Sequence, residues 1–188
     1  MPDRPRIYLD NAATSFPKPE AVYAAVDYAQ RRVGAGEGRS SSRIALDVHA
    51  VVERCRRRAA RLLGAESPER IIFTFNATDS LNLALHGLLR PGDHVVTSVM
   101  EHNSVLRPLR HVAHTGVEIT HVPADAEGRV DPADAERALK RNTRLVALVH
   151  ASNVTGTIQP IDRVAEIAHA AGAFFLVDAA QKIGRAHV

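Results

Sequence analysis

Short apolar segments alternate with segments of helical periodicity along most of this chain, and this alternation restricts the possible folds more than any other feature. The strand-like segments are rich in β-branched and aromatic residues and lie at 71–75, 94–98, 117–122, 145–149 and 173–177. Helices are predicted over 43–63, 80–89, 103–114 and 160–171, with a further helix starting at Asp131 and Pro132. This order predicts an α/β fold: a mostly parallel sheet in three layers, with helices on both faces.

Length and composition exclude several classes of protein. The 188 residues are enough for one domain or for a large piece of a bigger one. No apolar run is long enough to cross a bilayer and no apolar signal core follows Met1, so the cytoplasm is the expected location. The 10 histidines and single cysteine show no metal-ligand spacing, so no metal is expected.

Five arginines lie between positions 54 and 61, within the helix predicted over 43–63. A nucleic-acid surface is one interpretation of such a cluster, but acidic residues are spread through the chain and no aromatic residues are interleaved with the arginines. We therefore interpret the cluster as a solvated helix face. Cys55 falls on the apolar side of the same helix and is predicted to be a core residue.

An acid closes the last predicted strand, because the apolar residues 173–177 are followed by Asp178, with Gln181 three residues later. In open α/β sheets, ligands bind at the carboxyl ends of the strands. A carboxylate there is costly unless it meets a cation or hydrogen-bond donors. The protonated ring nitrogen of pyridoxal 5′-phosphate (PLP) is one such cation, since a carboxylate partner keeps that ring protonated and electron-accepting. A strand-end acid can equally cap the element that follows.

Polar side chains at three other strand ends suit the same site. Residues 75–79 join a strand to a helix, where free backbone N–H groups and the Thr78 hydroxyl can bind an anion or simply cap the helix. His102 can stack on an aromatic ring or move protons, and Asn153 can hydrogen-bond a ligand or form an Asx turn. Each signal is weak alone, but successive strand ends are where a sheet assembles one site.

Five motifs are similar to those of the class V aminotransferase group of fold-type I PLP-dependent enzymes, and within it to the cysteine desulfurases and desulfurase-like proteins. In order along the chain they are IYLDNAATSFPKP (7–19), FTFNATDSLN (73–82), MEHNSVLRP (100–108), HASNVTGT (150–157) and VDAAQ (177–181). The resemblance covers about residues 6–181 and implies the large domain of a PLP-dependent transferase, present incompletely.

The resemblance also implies a set of site roles. Ala77 and Thr78 would hold the cofactor phosphate, and His102 would stack on the ring and act in catalysis. Asn153 would lie near the ring hydroxyl and the substrate. Asp178 would pair with the ring nitrogen and Gln181 would contact the ring hydroxyl. The implied reaction converts cysteine to alanine and passes sulfur to an enzyme cysteine. The implied partners are a small amino-acid substrate, a second subunit in a homodimer and a sulfur-acceptor protein, with no nucleic acid and no membrane.

Two groups that the resemblance requires are not found in the sequence. The family's Schiff-base lysine follows a histidine, and none of Lys18, Lys140 and Lys182 has that context. The sulfur-accepting cysteine normally lies in the C-terminal part of the family. We therefore expect a truncated and inactive piece of the enzyme: an N-terminal segment over 1–20, the N-terminal part of the large domain over 21–181, and a non-native tail over 182–188. The sequence of this tail can be back-translated to the start of a sequencing adapter. Resequencing of the genomic locus therefore tests whether the tail is native.

Other functions stay open at this point. A class V aminotransferase or another PLP-dependent lyase has the same fold and the same cofactor contacts. A non-catalytic fragment that binds PLP or a partner would also carry these motifs. Recovery of a reading frame with the lysine would exclude the last of these.

Overall fold

The structure is a computed structural model that describes residues 7–9, 14–33 and 42–182. The chain divides into two compact units, residues 1–73 and residues 74–188. The predicted tail, apart from Lys182, lies outside the described residues, as do parts of the predicted N-terminal segment. The predicted domain boundaries stay a prediction.

The described residues of the first unit form two helices, α1 (Glu20–Arg32) and α2 (Arg43–Leu63), and a short 3₁₀ helix over Pro68–Arg70. The limits predicted for α2 are confirmed. Its first turn is capped by the Ser42 hydroxyl, which accepts a hydrogen bond from the Ala45 N–H, and its last turn ends at Gly64 in the left-handed conformation, φ 66°. Cys55 is exposed, so its predicted place in a core is wrong. The apolar stripe of α2 buries only Ala45 and Ala60.

The segment 71–75 is not a strand in this structure, so that prediction is also wrong. Its backbone has no strand neighbour among the described residues, and Ile72, Phe73 and Phe75 are exposed. β-branched and aromatic residues favour an extended chain, but a strand also needs a hydrogen-bonded partner. Composition cannot show whether that partner is present.

The second unit is built on a four-stranded parallel sheet with the strand order β2-β1-β3-β4. The strands are β1 (His94–Ser98), β2 (Glu118–Val122), β3 (Thr143–Val149) and β4 (Phe174–Asp178). The helices are α3 (Ala77–Leu88), α4 (Asn103–Ala113), α5 (Pro132–Ala138) and α6 (Ile161–Ala170). The predicted α/β class and parallel sheet are confirmed.

Helices cover both faces of this sheet. On one face, α3 and α4 bury Leu85 and Leu109 against Val95 and Leu145 of the central strands. On the other face, α5 and α6 pack Ala135 and other small apolar side chains against β1 and β3. β1 is buried along its whole length because helices cover both of its sides. The predicted three layers are therefore present within this unit.

The chain reverses its direction across the sheet after β2. From β1 it passes through α4 to the edge strand β2, and then returns through α5 to β3 on the other side of β1. Because α4, which follows β1, and α6, which follows β3, lie on opposite faces, the loops that leave β1 and β3 separate and open a crevice at the carboxyl ends of these strands. The fold itself therefore places a ligand site beside the residues that follow β1 and β3.

A buried histidine joins three strands at the opposite end of the sheet. His94, which opens β1, is 0% exposed. Its Nδ1 lies 2.8 Å from the Thr143 hydroxyl of β3, and its Nε2 lies 2.8 Å from the Thr120 hydroxyl of β2. Burial, followed by the charge of Lys140, lowers the pKa of this imidazole. His94 is therefore a structural histidine, remote from the carboxyl ends of the strands.

Candidate cofactor site

A cavity of about 220 Å³ lies at the carboxyl end of the sheet. All six residues that the sequence singled out for a cofactor line it: Ala77, Thr78, His102, Asn153, Asp178 and Gln181. Asn76, Ser104, Val149, Ala151 and Ala180 complete the lining. These residues lie in the first turn of α3 and at the carboxyl ends of β1, β3 and β4, so the structure brings the predicted site residues together. The chemical role of each stays a prediction.

The first turn of α3 supplies the anion-binding end of the cavity. The helix begins at Ala77, three residues earlier than predicted, because Asn76 caps it by accepting a hydrogen bond from the Asp79 N–H at 2.9 Å. The N–H groups of Ala77 and Thr78 have no intrahelical acceptor in such a turn. Both residues are exposed and line the cavity. Free N–H groups and the helix dipole favour a phosphate at this position.

His102 caps α4 and presents its ring to the cavity. Its Nδ1 accepts a hydrogen bond from the Ser104 N–H at 3.1 Å and lies 2.8 Å from the Ser104 hydroxyl. Because Nδ1 is an acceptor, the hydrogen-bond pattern assigns the ring proton to Nε2. The cap bond therefore uses Nδ1 and leaves Nε2 available to a ligand.

Asp178 ends β4 and is 7% exposed. Its backbone carbonyl accepts a hydrogen bond from the His150 N–H at 2.9 Å, and its Oδ1 accepts one from the Ala180 N–H at 3.0 Å. These bonds hold the carboxyl in place, but within the described part of the chain it forms no ion pair. A buried carboxylate with one backbone donor and no cationic partner suits a cationic ligand.

Two amide side chains lie between these groups. Asn153 is exposed in the turn after β3, where the Ser152 hydroxyl accepts hydrogen bonds from the N–H groups of Val154 and Thr155, each at 3.2 Å. Gln181 is half-buried in the turn after β4. An amide both donates and accepts, so either side chain suits a ring hydroxyl.

Sequence reasoning missed two members of this region. Ser104 is 8% exposed, and its hydroxyl lies 2.8 Å from both Thr78 Oγ1 and His102 Nδ1, so it connects the phosphate end of the cavity to the imidazole. Glu101 is 6% exposed, and burial raises its pKa to about 7. The sequence contained a signal for Glu101, because an acid between a buried strand and a site histidine requires a reason for being buried.

The donor set fits PLP. An anion-binding helix terminus, a buried carboxylate and an imidazole match the phosphate, the protonated ring nitrogen and the ring face, respectively. Within the described residues, no group of three or more His, Cys, Asp or Glu side chains is placed to hold a metal ion. The helices of the described ranges include none that is both long and apolar enough to cross a membrane.

The fold and this donor set define a PLP-binding α/β enzyme class, and comparison with known proteins agrees. The chain belongs to the class V aminotransferase family, since the family model described as Aminotransferase class-V matches residues 7–188. Members of this family depend on PLP.

Within the family, the proteins similar to this chain include cysteine desulfurases. The chain is 37% identical over 182 residues to cysteine desulfurase IscS of Dictyoglomus turgidum, covering 95% of this chain and 45% of that protein. It is 38% identical over 186 residues to a probable cysteine desulfurase of Methanothermobacter thermautotrophicus, covering 98% and 46%. The chain therefore spans less than half the length of these relatives.

Solved structures show the same likeness. The apo structure of a cysteine desulfurase from Thermococcus onnurineus NA1 matches with a TM-score of 0.83 and 35% identity, over 91% of this chain and 43% of that one. A structure of SspA in complex with cysteine matches with a TM-score of 0.85 and 30% identity, over 93% and 51% of the two chains. These likenesses agree with the α/β fold described above.

Proposed function

We propose that this chain forms the cofactor-binding part of a PLP-dependent cysteine desulfurase, which converts cysteine to alanine and transfers the sulfur to an enzyme cysteine. The observation that carries the proposal is the pairing of two unlike groups in one cavity. Free N–H groups of α3 lie at one part of its lining, and the unpaired carboxylate of Asp178 lies at another. PLP is a ligand that has both a phosphate and a cationic ring nitrogen.

Each of the six residues that the sequence singled out has a role in the proposal. The N–H groups of Ala77 and Thr78 bind the phosphate, and Asp178 holds the proton on the ring nitrogen. Gln181 and Asn153 orient the ring through its hydroxyl, and the His102 ring stacks on its face. When bound, PLP accepts the electrons released from a broken bond of the amino-acid substrate.

His102 has a second role, because the Ser104 N–H occupies Nδ1 and leaves Nε2 available. With Nδ1 held as an acceptor, the neutral imidazole carries its hydrogen on Nε2 and acts there as a hydrogen-bond donor. We propose that this N–H donates a hydrogen bond to the substrate.

The 188-residue chain alone is proposed to bind the cofactor without turning over cysteine. The resemblance calls for a lysine that follows a histidine, and Lys18, Lys140 and Lys182 have other contexts. Mixing the chain with PLP and cysteine should therefore release alanine and sulfide no faster than PLP does alone. Faster release would contradict this part of the proposal.

The test of the site uses pyridoxamine 5′-phosphate, which shares the phosphate, ring nitrogen and ring hydroxyl of PLP. It has no aldehyde, so it cannot react with surface lysines. We expect saturable binding, followed by its fluorescence. Replacement D178N should weaken binding about 10- to 100-fold, because a hydrogen bond to a charged group contributes about 1.5–3 kcal/mol.

The matched control is D27N, since Asp27 pairs with Arg31 on the exposed face of α1. Its affinity should equal that of the unmodified chain. Equal binding by D178N and D27N, or no saturable binding by the unmodified chain, would remove the proposed site.

A class V aminotransferase is the second candidate, favoured by the description of the family model that matches the chain. The two functions differ in their products, because a desulfurase forms alanine from cysteine whereas an aminotransferase forms a keto acid and transfers the amino group. A homodimer and a sulfur-acceptor protein are further proposals that follow from the resemblance. Light scattering and persulfide transfer, respectively, test them on the protein that contains this chain.

A further inference from the structure

Glu101 is a buried acid that the proposed function leaves without a role. It lies between β1 and His102 and is 6% exposed. Its Oε1 accepts a hydrogen bond from the Ser98 hydroxyl at 2.6 Å and another from the Val149 N–H at 3.1 Å. Because Val149 is paired in register with Asp178, this carboxyl links the end of β1 to the end of β3, one strand away from Asp178.

The surroundings of the second carboxyl oxygen of Glu101, Oε2, favour the protonated form of this side chain. Oε2 is buried and has no hydrogen-bond partner among the described residues. An ionised carboxylate would place charge on an oxygen that neither water nor a donor reaches, which costs more than burying a neutral group. Since Oε1 accepts both hydrogen bonds, the proton belongs on Oε2.

Burial and the negative charge of Asp178 favour the neutral form as well. Burial is the largest influence raising the pKa of Glu101 to about 7, and the negative charge of Asp178 raises it further against the lowering effect of the hydrogen bonds from Ser98 and Val149. The other titratable groups on the adjoining loops are His102, next in the chain, and His150, directly after Val149. Two ionised carboxylates repel each other, and protonation of one of them removes this repulsion.

We propose that Glu101 is a positioning residue of this site, a neutral carboxylic acid that ties the turn carrying His102 to the end of β3. The inference rests on the proposed function, because it assumes that the cavity binds the cofactor. Glu101 does not touch the cofactor. It holds His102 through the backbone of the turn and leaves Asp178 as the carboxylate that carries the charge.

A pH dependence follows from this role. The folded-state pKa of Glu101, about 7, lies above the ordinary value of 4.5. The stability that the neutral acid contributes is therefore fully present below pH 4.5 and is lost as the pH rises through about 7. Cofactor affinity should fall as the pH rises above about 7, because ionisation disturbs the turn that carries His102.

The experiment compares E101Q, E101A and the unmodified chain between pH about 5 and about 9. The readouts are pyridoxamine 5′-phosphate affinity and urea unfolding. Glutamine retains an oxygen for both hydrogen bonds and cannot ionise, so E101Q should bind well at every pH. The ratio of the dissociation constants, unmodified over E101Q, should be flat below pH about 7 and rise about tenfold per unit above it.

The other variants separate position from charge. E101A loses both hydrogen bonds and should bind at least about tenfold more weakly at all pH values, since it leaves the Val149 N–H without a partner. E166Q is the control, because Glu166 forms an exposed pair with Arg163 on α6. Its affinity profile should match that of the unmodified chain.

The results that overturn the inference differ from those that overturn the function. Identical pH profiles for the unmodified chain and E101Q, in binding and in unfolding, would show that Glu101 is not a neutral acid. Equal affinity of E101A and E101Q would show that it positions nothing. If the unmodified chain binds no pyridoxamine 5′-phosphate at any pH, the proposed function and the positioning role fail together. The unfolding profiles then still decide the protonation state of Glu101.

Discussion

Ser104 connects two side chains of the cavity that approach it from different elements. Its hydroxyl lies 2.8 Å from Thr78 Oγ1 on α3 and 2.8 Å from His102 Nδ1 at the start of α4. Thr78 itself is exposed, so this buried hydroxyl is what orients it. The phosphate end of the cavity and the imidazole are therefore positioned by the same side chain.

Replacement S104A tests this connection at the scale of one hydroxyl group. The backbone bond from the Ser104 N–H to His102 remains, so α4 should keep its cap. Binding of pyridoxamine 5′-phosphate should weaken about 3- to 10-fold, because a neutral hydrogen bond contributes about 0.5–1.5 kcal/mol. T115A, which removes a hydroxyl that bonds to the Val112 carbonyl at the far end of α4, should leave binding unchanged. Equal loss in both variants would argue against a specific link.

At the scale of an element, α3 combines two uses of its first turn. Asn76 stabilises the helix by accepting the Asp79 N–H, while the N–H groups of Ala77 and Thr78 stay available to an anion. The identity of the cap therefore affects both helix stability and anion binding. An uncharged cap supports both, because it satisfies a donor without adding negative charge beside the phosphate position.

Two substitutions of Asn76 should separate these uses. N76A loses the cap bond, so the free energy of unfolding should fall by about 1 kcal/mol. N76D keeps a cap and should retain stability, but its charge repels the phosphate and should weaken pyridoxamine 5′-phosphate binding several-fold. Urea unfolding and fluorescence titration measure the two effects. An N76D variant that binds as tightly as the unmodified chain would show that no phosphate lies at this turn.

The elements that the sequence predicted well are those with a strong stripe or a clear cap. The limits of α2 and β1 match the structure, because Ser42 and Gly64 bound the helix and five buried residues form the strand. The predicted start of α3 is three residues late, since Asn76, Thr78 and Asp79 are all acceptable caps. Helix α1 is not among the predicted helices, although Val22, Val26 and Ala29 recur in it at helical spacing, and it buries no residue.

The site was more predictable than the segment that precedes it. Asp178, His102 and Asn153 each follow a strand, and parallel strands bring their carboxyl ends to one edge. The place of Glu101 between β1 and His102 is a signal in the sequence, but its hydrogen bond from the Val149 N–H is not, because Val149 is distant in the sequence. The strand predicted over 71–75 is wrong for a related reason, because the pairing of strands depends on residues that are distant in the sequence.

At the scale of the whole sheet, His94 predicts how the unit responds to acid. Its folded-state pKa lies below the ordinary value of 6.5, so the unfolded chain binds the proton more readily. The stability that neutral His94 contributes is therefore present above pH 6.5 and is lost as the pH falls through the lowered pKa. The slope cannot exceed about 1.4 kcal/mol per pH unit for one proton.

Urea unfolding of H94Q between pH about 4 and about 8 isolates this contribution. The unmodified chain should lose stability relative to H94Q as the pH falls below 6.5. His94 binds a proton more readily in the unfolded chain than in the folded chain, whereas glutamine binds none. H121Q is the control, since His121 is exposed on the edge strand β2. Parallel stability curves for the unmodified chain and H94Q would contradict the buried neutral state.

The lining of the 220 Å³ cavity has a practical consequence for anyone who prepares this polypeptide. The described residues around it offer amides, hydroxyls, an imidazole and a carboxylate, but neither a primary amine nor a thiol. A ligand bound in this cavity is held by non-covalent contacts and should be removed by dialysis. Samples purified in plain buffer should therefore emerge colourless, and yellow colour should return only while free PLP is supplied.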